Sequence, residues 1–142
     1  LTLWRSVSYR QTLWDGAGDT GDVNLVLYGI RNCDSVAAAR RWLEARDLGF
    51  QFHDYRAGGL DPERLKSWVR EVGIDTVLNR KGAAYRKLDP IMRAAFSEDQ
   101  AIAAMMGDLL LIKRPVLEGA ASLLVGFSPA DYERVLLAPP SP

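Results

Sequence analysis

Among 142 residues there is one cysteine and one histidine, and the cysteine sits in Tyr28-Gly29-Ile30-Arg31-Asn32-Cys33-Asp34-Ser35. The apolar run Asn24-Leu25-Val26-Leu27-Tyr28 reads as a strand that passes through a glycine turn into a helix. A thiol at that turn can act as a nucleophile, because unpaired backbone N–H groups and the positive end of the helix dipole favour its thiolate. It lies at the carboxyl end of the strand, where open α/β sheets bind ligands. The competing reading is a small buried hydrophobe, which describes most unpaired cysteines.

The neighbours divide in the same way. Arg31 can supply positive charge, whereas Asp34 opposes a thiolate beside it. Asn32 and Ser35 can hydrogen-bond the sulfur or cap the helix. Arg114 stands in Lys113-Arg114-Pro115, ahead of another apolar strand. It is the best cation to oppose Asp34, and it reads otherwise as a solvated surface charge. Pro115 can face the cysteine through a cis peptide bond or end an edge strand. The cations Arg80, Lys81, Arg86 and Lys87 can hold the carboxylates of a tripeptide thiol such as glutathione, or merely solvate a loop. His53 lies mid-strand, where a structural role outweighs a Cys/His pair. Asp54 and Tyr55 read as the end of that strand and carry no separate signal.

These residues need a scaffold, and the pattern supplies one. Val36, Ala39, Trp42 and Leu43 share one helix face, Arg40, Arg41, Glu44 and Arg46 the other, and Gly49 is expected to end the helix. Phe50 to Tyr55 alternates as a strand. Asp61-Pro62 opens a helix that buries Leu65, Trp68, Val69 and Val72 and closes at Gly73. Residues 78 to 87 read as a loop. Helices follow at Asp89-Pro90 and at Ser97-Glu98-Asp99-Gln100, a capping box. Strands at Val116-Leu117 and Ser122-Leu123-Leu124-Val125 flank a hairpin connection at Glu118-Gly119-Ala120-Ala121, and Ser128-Pro129 starts the last helix. The order β-α-β, helices, β-β-α predicts an α/β thioredoxin-like fold, a mixed four-stranded sheet with a helical insertion. The active cysteine of such folds sits at the first strand-to-helix turn, where Cys33 is.

The domain is expected to span residues 23–137. Residues 1–22, with their Gly-Ala-Gly-Asp-Thr-Gly-Asp linker, read as a poorly ordered tail or a start-site extension, and 138–142 as a Pro-rich tail. Eighteen basic and eighteen acidic residues cancel, which removes a global electrostatic case for direct nucleic-acid or anionic-membrane binding. No stretch has the length to span a bilayer. One cysteine permits no internal disulfide or CxxC switch, since Val36 stands three residues after Cys33, and one Cys with one His makes a structural zinc site a poor fit. A reducing, cytoplasmic setting is the expectation.

The Tyr-Gly-x-x-x-Cys turn, His53-Asp54-Tyr55-Arg56, Gly82 with Arg86-Lys87-Leu88, and Lys113-Arg114-Pro115 together resemble the ArsC/Spx family, and within it the YffB-like branch, over residues 24 to 136. The resemblance implies a glutathione-dependent thiol/disulfide oxidoreductase with no bound cofactor and glutathione as co-substrate. Cys33 then matches the nucleophile and Arg114 the arginine beside the proline. Arsenate reductases of this family surround the oxyanion with three arginines, and Asn79 and Gly126 stand here where the other two would be. Arsenate reduction would need an altered anion site. Spx-type members bind RNA polymerase as regulators, so the resemblance also implies a non-enzymatic alternative.

Overall fold

The computed structural model describes residues 24–94 and 97–137; the expected tails lie outside them. Strand β1 (Leu25–Gly29) leads to helix α1 (Asp34–Ala45), then strand β2 (Phe50–Asp54). Next come the short helix α2 (Tyr55–Gly58), α3 (Pro62–Val72), α4 (Ile74–Val77), α5 (Ala83–Arg86), α6 (Pro90–Ala94) and α7 (Glu98–Gly107). A 3₁₀ turn at Leu109–Leu111 precedes strands β3 (Val116–Glu118) and β4 (Leu124–Val125). Helix α8 (Pro129–Tyr132) runs on into a π-helical turn at Glu133–Leu137.

The sheet order is β2-β1-β3-β4. β1 and β2 are parallel, as a helical crossover requires, and β3 is antiparallel to both β1 and β4. This is the expected thioredoxin-like arrangement with its helical insertion.

Alternation along β1 divides the core. Leu25 and Leu27 pack with Val36, Ala39, Trp42, Leu43, Leu117, Leu124 and Tyr132, so α1 and the C-terminal helix cover that face. Tyr28 and Ile30 pack with Tyr55, Leu65, Trp68, Val69, Met105, Ile112 and Val116, so the helical insertion covers the other. Fully burying a Leu or Val side chain is worth roughly 1.5–3 kcal/mol, so these two clusters are what hold the strand ends in place.

Several local details differ from the sequence-based expectation. Gly29 is the last residue of β1 rather than a turn residue, and the reason for glycine is close packing. A Cβ there would lie 2.6 Å from Val36 Cγ2. Helix α1 stops at Ala45, well before Gly49. Asp47 takes the left-handed backbone at φ 54, while Asp47 N–H donates to Glu44 O and Leu48 N–H to Leu43 O. That is a Schellman ending, with aspartate where glycine is usual. The stretch 78–87 contains helix α5 rather than being wholly loop. β2 ends at Asp54, whose carboxylate accepts from Arg56 N–H and Ala57 N–H to cap α2. The Asp61 cap, the proline in the first turn of α3 and the Ser97–Gln100 capping box appear as expected.

Candidate functional site

Three chain ends meet at one end of the sheet. The parallel register ends with Gly29 beside Asp54, and Tyr55 follows as the first residue of α2. The antiparallel register ends with Tyr28 beside Val116, and Arg114-Pro115 lie immediately ahead of β3. Tyr55 and Arg114 thus stand just beyond the ends of β2 and β3, the strands on either side of β1, at the end that leads into the Cys33 turn.

Cys33 is the N-cap residue of the twelve-residue helix α1, with extended backbone at φ −138 and ψ 123. Its side chain makes no capping hydrogen bond. The sulfur is therefore not occupied by the helix it stands on, and the unpaired N–H groups of the first turn surround it with positive potential. Cys33 is half-buried and packs against both core clusters. Asp34 follows in the first turn, where a carboxylate also draws on the dipole.

The Arg114–Pro115 peptide bond is cis. Pro115 is buried, and its carbonyl accepts from Gly126 N–H at 2.8 Å. Arg114 Nη1 donates to Leu110 O at 3.1 Å and Ile112 O at 3.2 Å. Those two bonds anchor one arm of the guanidinium against the 3₁₀ turn, while the buried Nε–H has no hydrogen-bond acceptor.

The remaining expected site residues have other engagements. Arg31 pairs with Asp54 at 3.7 Å and keeps 74% of its side chain exposed. Asn32 and Ser35 are exposed at the mouth of the turn. Arg80 pairs with Asp75 at 2.7 Å and donates to Tyr85 Oη; the Asp75 hydrogen bond raises its pKa above the ordinary guanidinium value. Arg86 donates to Lys81 O at 2.7 Å. These two cations hold their own loop together. Asn79 Oδ1 accepts from Lys81 N–H, so its amide is used within the same loop. Gly126 has φ 81, a backbone that an arginine would adopt only under strain. His53 bonds Gly59 O at 2.7 Å and meets the Tyr28 ring edge-on, which is the structural role.

Tyr55 is the residue that sequence reasoning passed over. It is 0% exposed, and its hydroxyl has no hydrogen-bond partner. Burial pushes its pKa up to about 12; the Arg114 guanidinium pulls it down, and charge on Cys33 and Asp54 pushes it up. Arg114 is thus close enough to act on the hydroxyl through its charge and its hydrogen-bonding hydrogens, although no hydrogen bond of good geometry joins the two. The available signal was Asp54 as a helix cap, which would have turned Tyr55 from a strand end into the first residue of a helix.

The family model for ArsC matches residues 28–135. This chain belongs to the ArsC family. The YffB protein is similar at 46% identity with a TM-score of 0.75, covering 79% of this chain and 98% of YffB, which sets the chain in the YffB-like branch. An uncharacterised Haemophilus influenzae protein is 31% identical over 109 residues, covering 77% of this chain and 96% of that protein. The global transcriptional regulator Spx of Lactiplantibacillus plantarum is 25% identical, over 79% of this chain and 86% of Spx. No helix among the described residues is long and apolar enough to cross a membrane.

Proposed function

We propose that this ArsC-family protein is a glutathione-dependent thiol/disulfide oxidoreductase that works through Cys33. The observation that carries the reading is the uncapped sulfur of Cys33 at the N-terminus of α1, with Arg114 and Pro115 immediately ahead of the neighbouring strand β3. In the first step the Cys33 thiolate attacks the glutathionyl sulfur of a mixed disulfide. A Cys33–glutathione disulfide forms, and the substrate sulfur leaves as a thiolate that takes up a proton. In the second, a glutathione thiolate attacks the glutathionyl sulfur of that intermediate. Glutathione disulfide leaves and the Cys33 thiolate returns. The two electrons come from glutathione, since the chain has no second thiol. Such turnover needs a reducing compartment, for which the cytoplasm is the natural one.

Arg114 stabilises negative charge at the sulfur, and Pro115 shapes the groove in which the substrate thiol lies. Arg31, Asn32 and Ser35 line the entrance. The engagements of Asn79, Arg80 and Arg86 within their loop argue for a lesser part in substrate binding. With Asn79 and Gly126 in place of two arginines, arsenate would meet too few cations, so a sulfur substrate suits the site better.

The test is intact mass after exposure to oxidised glutathione at neutral pH. The expected result is rapid gain of one glutathionyl group, reversed by reduced glutathione and absent in Cys33→Ser. Labelling that appears only near pH 8.5, where an ordinary thiol ionises, would overturn the reading. The similarity to Spx carries a second reading, a regulator that binds RNA polymerase. It predicts that Cys33→Ser keeps partner binding intact.

A further inference from the structure

Two buried donors at the site have no partner, the Tyr55 hydroxyl and the Arg114 Nε–H. Buried polar groups without a partner are uncommon in folded proteins and call for an explanation. Here they occur together, Tyr55 directly after β2 and Arg114 just ahead of β3, and Cys33 packs against the core cluster that holds Tyr55. The rest of the Arg114 side chain is held, because Nη1 donates to the carbonyls of Leu110 and Ile112. Its Nε–H therefore keeps a defined direction. Tyr55 is equally fixed, since its ring is fully enclosed in the core and its backbone begins a helix capped by Asp54.

We propose that Tyr55 is a hydrogen-bond relay between Arg114 and the nucleophile: when Cys33 ionises, the Tyr55 oxygen accepts from Arg114 Nε–H and its O–H donates to the sulfur. One short rearrangement then satisfies both orphan donors and delivers the guanidinium charge to the thiolate. A phenol is the right group for this task, because it donates and accepts through one oxygen. Burial and the nearby negative charges keep its proton on to about pH 12, so it remains a donor wherever the thiol titrates. The other charges around the turn are Asp54, which pairs with Arg31, and Asp34 in the first turn of α1. Both oppose the thiolate, which leaves the relay and the helix N-terminus to favour it.

This inference rests on the reactivity of Cys33 proposed above, and the experiment separates the two. Iodoacetamide alkylation is followed from acid to alkaline pH, together with the ultraviolet absorbance of the thiolate, in the wild type, Tyr55→Phe, Arg114→Lys and the double variant. Phenylalanine keeps the buried ring, so a packing role alone would leave the profile in place. The expected result is a shift to higher pH by about one unit in Tyr55→Phe, the size of one hydrogen bond to a charged group. The double variant should shift less than the sum of the singles, because both break the same relay. A Tyr55→Phe profile that overlays a wild type already reactive at neutral pH overturns the relay and leaves the oxidoreductase reading standing. A wild type that alkylates only as an ordinary thiol overturns both. If Tyr55→Phe folds poorly by circular dichroism, Tyr55→3-fluorotyrosine keeps the hydroxyl and the ring. Its more acidic phenol should then move the profile to lower pH, and no movement overturns the relay.

Discussion

Among the described residues, each face of the sheet buries one tyrosine completely, Tyr55 under the helical insertion and Tyr132 against α1. Neither hydroxyl has a hydrogen-bond partner. The difference lies in what surrounds them. Tyr132 meets the rings of Trp42 and Phe127 edge-on, at 5.4 and 4.8 Å between centroids, and burial alone raises its pKa. Tyr55 is acted on by a cation and by two acidic groups, one of them Cys33. The same residue type with the same burial is an aromatic brace on one side and part of an electrostatic site on the other. A buried polar group therefore gains a functional meaning only from the charges that face it.

The largest effects should come from the tryptophans that anchor the two faces. Trp42→Ala and Trp68→Ala should each cost about 3–5 kcal/mol, read from urea midpoints. Trp68→Ala is expected to be the more severe, because Trp68 Nε1 donates to Glu118, which also takes Arg64. Equal losses would mean that the Glu118 clamp adds nothing to packing.

Gly29→Ala sits where the faces join. Its new methyl would collide with Val36 Cγ2, so a loss of about 1–3 kcal/mol is expected. The same push on α1 should slow thiol transfer by Cys33. A stable variant with full activity would show that the strand end and the helix N-terminus can separate without consequence.

Tyr132→Phe sharpens the contrast further. Removing an unpartnered hydroxyl should leave stability unchanged or raise it by up to about 1 kcal/mol, with the alkylation profile of Cys33 unmoved. A shifted profile would erase the distinction between the two tyrosines.

The last effect is alkaline. Below pH 10, the ordinary value for tyrosine, both folded and unfolded states hold the phenol proton. As pH rises from 10 to about 12 the unfolded chain releases it while folded Tyr55 keeps it, so stability falls across that window. Tyr132 acts in the same direction and to higher pH. Either phenylalanine variant should flatten this limb in urea titrations, and two unchanged slopes would mean that the hydroxyls are hydrated.

Much of the scaffold was legible because it repeats. The apolar stripe of α1, the Asp61 and Ser97 caps, and the strand order all follow from period and from local hydrogen bonding of short polar side chains. Cys33 at a helix start and Arg114 before a proline belong to that same local grammar. The end of α1 was misread because Asp47 takes a left-handed backbone without glycine to announce it. The pairings inside the cation loop were hidden for another reason. Arg80 and Arg86 are spent on Asp75 and on Lys81 O, pairings between side chains and backbone that charge density along the chain does not reveal.

By itself, then, the sequence determined where the thiol would stand, which helix would carry it, and that no second thiol could resolve it, since these are properties of composition and of contacts within a few residues. Only the tertiary structure decided what faces that thiol. Tyr55 and Arg114 are 59 positions apart in the chain, and the β2-β1-β3 order brings the strand ends beside them to the end of the sheet where Cys33 stands. Parallel and antiparallel registers are set by burial of whole strand faces, a cooperative choice that no short segment encodes.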